Sequence, residues 1–304
     1  MTFEFPVLSL GSIAERQVAN FGEGNVIAVF DKSFYLESAT GIVCIAGLDQ
    51  GSSPLNISVA TPSAISWQAS GICLGARGSI VADELRVGNG FSFPLGDATV
   101  WQPPPPPVGI DPKNVEVGLS ELVKISAERG IEAGLGNFID PAFHPDERDV
   151  VSQVASPDVA RLRHWLAEEF GCLSVVSLPE VVILRHFIGL GPGLTPSGSD
   201  FLGAMMVALN ALKANKLRDR FWLRLRPISQ SIGNPIAAAH LAAAAEGVGA
   251  AAMHRGLNAI LSAQLEVIEE ITPEIDAVGH TSGWDGMAGF SLVLGAWLQM
   301  ASLR

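Results

Sequence analysis

Hydrophobic positions change their period once along this chain. Over residues 1–102 they cluster in short runs of branched and aromatic residues: NVIAVF, SFYLES, GIVCIAG, PLNISVA, GFSFPL and TVWQ. Phe34-Tyr35-Leu36 and Phe91-Ser92-Phe93 have strand composition, while Gly22–Gly24 and Gly88–Gly90 mark turns. The pattern predicts a β-rich region, a small antiparallel barrel or sandwich. Five prolines follow, Pro103–Pro107. They cannot enter a helix interior or an inner strand, so residues 103–109 read as a stiff polyproline II connector.

Beyond the prolines the period becomes helical, over residues 110–304. Val115, Leu119, Leu122 and Ile125 or Ser126 share one face of 114–129, and Gly130 is the stop signal. Ser156 as N-cap and Pro157 at the first helical position predict a helix that buries Val159, Leu162, Leu166 and Phe170 and ends at Gly171. Asn234-Pro235 opens a helix with an alanine face, Ala237–Ala239 and Ala242–Ala245. A further amphipathic helix is expected over 258–271. The fold class is therefore α+β, a β-rich barrel or sandwich followed by a mainly helical domain.

Two helices in that domain are apolar on nearly all sides: FLGAMMVALNAL (201–212) and GMAGFSLVLGAWLQM (286–300). Such helices belong in the middle of a core. Each follows a polar, glycine-rich loop, GLGPGLTPSGSDFLG (189–203) and GHTSGWDGMAG (279–289), so Thr-(Pro)-Ser-Gly-x-Asp occurs twice, about 86 residues apart. The first N–H groups of a helix lack internal partners, and a buried helix start must satisfy them by a cap or by a ligand. Ser197-Gly198-Ser199-Asp200 and Ser282-Gly283-Trp284-Asp285 both fit a capping box with Asp in place of Glu. That alone would make two glycine-capped helices and nothing more.

The excess of glycine and hydroxyls argues for a ligand as well. Gly191, Gly193, Gly198 and Gly283 let backbone approach a small molecule closely, and Thr195, Ser197, Ser199, Thr281 and Ser282 add donors to the positive ends of two helices. A small anion is the expected ligand. Asp200 and Asp285 do not suit a pure anion site; they are candidates for proton transfer, or for holding Mg²⁺ that bridges to a phosphate. His280 precedes the second loop and is a third proton-transfer candidate. Arg185 and His186 precede the first loop, where a salt bridge or a core histidine is the simpler reading.

Charge and composition then narrow the partners. The formal charge is −12 and no Lys/Arg cluster is longer than the Arg-Leu-Arg type, which argues against nucleic acid and disfavours anionic membrane surfaces. Neither 201–213 nor 235–253 is long and apolar enough to span a bilayer, and MTFEFPVLSLGS lacks the basic region of a signal peptide. Three scattered cysteines, Cys44, Cys73 and Cys172, read as buried free thiols in a reducing cytoplasm.

GLGPGLTPSGSDFLGAM and GHTSGWDGMAG resemble the two signature loops of the AllH-like family, one member of which is a subunit of a bacterial oxamate carbamoyltransferase in allantoin catabolism. The resemblance implies a cytoplasmic carbamoyltransferase-type subunit that works with other subunits in purine nitrogen catabolism. Its small anionic substrates would be carbamoyl phosphate and an oxamate-like acid. The alternatives are a non-catalytic structural or regulatory subunit, or a stand-alone enzyme on another small anionic metabolite. In the family the first loop usually reads Ser-Gly-Asp-Asp, whereas this chain has Ser197-Gly198-Ser199-Asp200. A hydroxyl thus replaces one of two adjacent carboxylates.

Overall fold

The computed structural model describes residues 3–61, 65–146, 149–171 and 179–301. The chain divides into two compact units, Met1–Pro103 and Pro104–Arg304.

The first unit is one curled ten-stranded sheet, built from β1 (Phe3–Glu4), β2 (Val7–Gly11), β3 (Glu23–Val29), β4 (Ser33–Ser38), β5 (Gly41–Gly47), β6 (Asn56–Val59), β7 (Arg77–Val81), β8 (Glu84–Val87), β9 (Phe91–Pro94) and β10 (Thr99–Trp101). The strand order is β1-β9-β8-β7-β3-β4-β5-β6-β2-β10. Only Phe5-Pro6 separates β1 from β2, yet they lie towards opposite ends of that order. The Phe5 N–H donates to Ser92 O and the Ala60 N–H donates to Pro6 O, so one short stretch serves both ends. The sheet must curl into a half-barrel to allow this.

The expected all-antiparallel arrangement is corrected at three places: β1–β9, β2–β10 and β5–β6 pair in parallel. The hairpin β7–β8 also escaped the sequence pattern. Its turn residues Ala82 and Asp83 have φ of 51° and 63°, the backbone of a type I′ turn without its usual Asn-Gly. A short helix, α1 (Ser12–Val18), lies in this unit too. Trp67 is fully buried at the centre of the core, with ring centroids 5.0 Å from Phe34 and 5.3 Å from Phe5. Cys44 is buried in β5, where desolvation pushes its thiol up to about 12. Cys73 is exposed, contrary to expectation, and Cys172 lies outside the described residues.

The second unit holds ten helices among the described residues: α2 (Pro112–Arg129), α3 (Val150–Gly171), α4 (Val181–Phe187), α5 (Ser197–Ala211), α6 (Asn215–Ser231), α7 (Pro235–Ala245), α8 (Ala251–Leu261), α9 (Leu265–Glu270), α10 (Thr272–Ala277) and α11 (Ser282–Ala301). Gly130 ends α2 in the left-handed region, and Asn234 caps α7 by accepting from the Ala237 N–H.

Two boundaries differ from the sequence reading. Helix α3 starts a turn and a half before Ser156, because Asp149 is its cap and accepts from the Ser152 N–H at 2.9 Å. Pro157 therefore sits inside the helix, and the carbonyl it leaves unmatched belongs to exposed Gln153. The helix expected over 258–271 is broken into α8 and α9. Ala263 takes a left-handed φ of 53° and the Gln264 N–H reaches back to Ala259 O, a Schellman ending without glycine.

Helices α5 and α11 form the centre of this unit, and almost every residue of α5 is buried. A side chain at Gly289 would overlap the Phe201 carbonyl, so the two backbones lie almost in contact. That close crossing fixes where the two helix N-termini sit.

Candidate functional site

The two glycine-rich loops meet. Thr195 Oγ1 lies 3.2 Å from Ser282 Oγ, and Ser197 Oγ lies 3.3 Å from Thr281 Oγ1. Each loop thus hydrogen-bonds to the other through a Thr–Ser pair, and the pairing is reciprocal. The capping boxes expected from the sequence do not form. Ser197 and Ser282 are the first helical residues of α5 and α11, and the N-cap of α5 is Pro196, which has no side-chain cap bond.

The glycines explain the fit. A side chain at Gly198 would collide with the Phe187 carbonyl, and one at Gly283 with the Ile275 carbonyl. Each helix start is therefore wedged against the end of the helix before it, α4 and α10 respectively. A Cβ at Gly191 would lie 2.7 Å from Ser197 Oγ, and one at Gly279 would lie 2.8 Å from Ser282 Oγ. The two halves repeat the same contacts, although the first loop is three residues longer than the second. Gly193 is exposed at the tip of the first loop.

The carboxyls follow the same crossed logic. Asp200 faces the Ser282 and Thr195 hydroxyls, while Asp285 faces those of Thr281 and Ser197. Asp285 is completely buried, and its Oδ1 accepts the Leu135 N–H at 2.5 Å. Its Oδ2 has no partner. Asp200 is half-buried as a residue, but its Oδ2 is sealed from solvent and also without a partner, as is the hydroxyl of buried Ser199. Burial pushes the Asp200 carboxyl up to about 8; the Ser282 and Thr195 hydroxyls oppose this, and the Asp285 charge adds to it. Burial likewise raises Asp285, against the Leu135 N–H and the Thr281 and Ser197 hydroxyls and with help from Asp149.

The backbone donors are mostly occupied, which corrects part of the anion-site expectation. Gly198 N–H donates to Leu190 O, Ser199 and Asp200 N–H to Pro196 O, Gly283 N–H to Val278 O, and Asp285 N–H to Thr281 O. Among the described residues the N–H groups of Ser197, Ser282 and Trp284 remain without such a bond. Hydroxyls and carboxyls, rather than a row of free N–H groups, define the chemistry.

His280 is exposed beside the second loop, and the structure does not fold it in among the hydroxyls. Arg185 is exposed as well. His186 places Nδ1 2.6 Å from Oδ2 of buried Asp158, whose Oδ1 accepts from Arg161 at 2.9 Å, so this histidine ties α4 to α3. Sequence reasoning missed Gly134, Leu135 and Asp149. A Cβ at Gly134, where φ is +82°, would collide with Asp285 Oδ1, and Asp149 keeps one sealed, unpartnered oxygen. The usable signal was a glycine directly before an apolar stretch, Gly134-Leu135-Gly136, remote from either loop.

The fold and site together define a helical unit in which two glycine-wedged helix starts meet at one small cluster of hydroxyls and carboxyls. Residues 187–294 match the family model of the oxamate carbamoyltransferase subunit AllH. That span opens at the end of α4 and takes in both loops, while Gly134, Leu135 and Asp149 lie before it. The matched span is about a third of the chain. No solved structure matches the chain. Among the described residues no helix is long and apolar enough to cross a membrane.

Proposed function

We propose that this chain is a subunit of a carbamoyltransferase-type enzyme that binds carbamoyl phosphate or an oxamate-like carboxylate at the polar cluster where the two loops meet. The observation that carries the reading is the trio of sealed, unpartnered oxygens, Ser199 Oγ, Asp200 Oδ2 and Asp285 Oδ2. Buried polar atoms without partners are costly and rare, and Asp200 and Asp285 are near enough that the charge of one acts on the other. Thr195, Ser197, Thr281 and Ser282, with the free N–H groups of the helix starts, would hold the anion's oxygens. Such fixed donors also stabilise the negative charge that develops on a carbamoyl oxygen as the acceptor nitrogen attacks. Asp200 titrates near neutrality, which suits exchange of a proton with that nitrogen. His280, exposed at the rim, is a second candidate for this step.

The test is calorimetric titration of the folded chain with carbamoyl phosphate and with oxamate, repeated on Ser282→Ala and Asp285→Asn. Binding should weaken by about tenfold or more with each change, the loss of one or two charge-assisted contacts. Unchanged affinity in both variants would remove the ligand from this cluster.

One observation favours a second reading. The crossed Thr–Ser pairs and the occupied N–H groups also make a good structural clasp, as a non-catalytic subunit would need. In that case the same substitutions lower stability, and no small anion binds at any concentration tested.

A further inference from the structure

Among the elements that the polar cluster does not use, α6 stands out by its charge. Residues 213–226 hold six of the chain's 19 lysines and arginines and a single acid, Asp219. The formal charge of the whole chain is −12, so the remainder is more acidic still.

Helical steps decide where these cations lie. Lys216, Arg220, Leu223, Arg224 and Pro227 recur every three or four residues and are all exposed, opposite buried Leu217, Phe221, Leu225 and Ile228. Arg218 is occupied elsewhere, 2.7 Å from Asp219 and 2.5 Å from Asn210 Oδ1. Among the described residues no acid pairs with Lys213, Lys216, Arg224 or Arg226. Leu223, 67% exposed, shares their face. Like charges one turn apart repel one another, and an opposing acidic surface relieves that repulsion.

The length of the helix narrows the partner. At 1.5 Å per residue the 17 residues of α6 span about 25 Å. A nucleic acid or an anionic bilayer extends beyond that and meets the acidic remainder of the chain, with screening only over about 8 Å. A compact acidic protein face meets α6 alone. This chain carries such a face. Glu266, Glu269 and Glu270 are exposed on α9, and Glu121, Glu128 and Glu269 all act on Lys124, so three carboxylates gather about one ammonium where α9 packs on α2.

We propose that the outward face of α6 is an interface for a second copy of this chain, whose α2–α9 face supplies the opposing charge. Leu223 gives the contact an apolar centre, and the cations give it a polar rim. The two faces differ, so the contact is heterologous and closes a ring or extends a chain of copies. None of these residues belongs to the polar cluster, so the interface and the anion site stand or fall separately.

Sedimentation equilibrium of the full chain is the test. Association should weaken by about tenfold or more between about 50 mM and about 300 mM salt. Lys216→Glu with Arg224→Glu reverses α6, and Glu266→Lys with Glu269→Lys reverses α9. Each double variant alone should be monomeric, because like charges then face each other. An equimolar mixture of the two should associate again, since every contact between unlike variants joins opposite charges; misfolding cannot imitate that gain. A wild-type chain that stays monomeric at low salt overturns the proposal. So does association that survives either reversal, or a loss that mixing fails to restore. Binding to vesicles of phosphatidylserine and phosphatidylcholine that the α6 reversal abolishes would assign the face to a membrane surface and overturn it as well.

Discussion

The residue that decides most here is Asp200. Its folded pKa of about 8 stands far above the roughly 3.9 of an unfolded aspartate. Between those values the folded chain keeps a proton that the unfolded chain has lost, so unfolding releases a proton and stability falls as pH rises. The loss starts near pH 4 and levels off above about pH 8, and Asp285 acts in the same direction. Asp200→Asn should flatten this slope. Denaturant midpoints should agree at pH 5 and favour the variant at pH 9, by on the order of a few kcal/mol. Parallel slopes for the two proteins would mean that the carboxyl is solvated. The residue types at the site were legible in the sequence; their partners were not. Ser197 and Ser282 read as capping-box residues, but each falls one position inside its helix and their hydroxyls cross to Thr281 and Thr195. Local spacing shows what a helix start could do for itself. It does not show that another helix start faces it.

At the scale of elements, periodicity served best where the pattern was long. Helices α2 and α7 begin and end where caps and glycines put them, and α5 and α11 are buried all round as their composition requires. It failed where an unusual residue took a glycine's place. Ala82-Asp83 turns a hairpin, and Ala263 and Lys213 end helices with positive φ, none of which carries a turn signal. The wedge at each helix start was visible only as an excess of glycine, without its reason. That reason gives a prediction. Gly198→Ala and Gly283→Ala drive a methyl into a backbone carbonyl that cannot rotate away, and each should cost about 1–3 kcal/mol through overpacking. Gly295→Ala in α11 is the control. Its Cβ meets nothing within 4 Å, so helix propensity alone applies, and thermal unfolding should shift upwards slightly. Equal behaviour of Gly198 and Gly295 would disprove the wedge.

At the scale of the molecule, two cores share no residue. The aromatic cluster around Trp67 draws on residues from Phe5 to Leu95, and the helical core on residues from Val115 to Ala296. Every group of the polar cluster named above comes from the second core's unit, from Gly134 to Asp285. The helical core is large enough to resemble that of an independent domain, with α5 and α11 buried at its centre. Residues 104–304 expressed alone should therefore unfold cooperatively with helical circular dichroism. They should also bind carbamoyl phosphate within about threefold of the full chain, a difference under about 1 kcal/mol. A folded fragment that has lost binding would assign part of the site to the β-rich unit, and its sheet would then need to be searched for the missing ligand contacts. A fragment that binds fully leaves the sheet free for another role. A second chain is then its first candidate partner, because a ten-stranded sheet with edge strands β1 and β10 has backbone groups to offer.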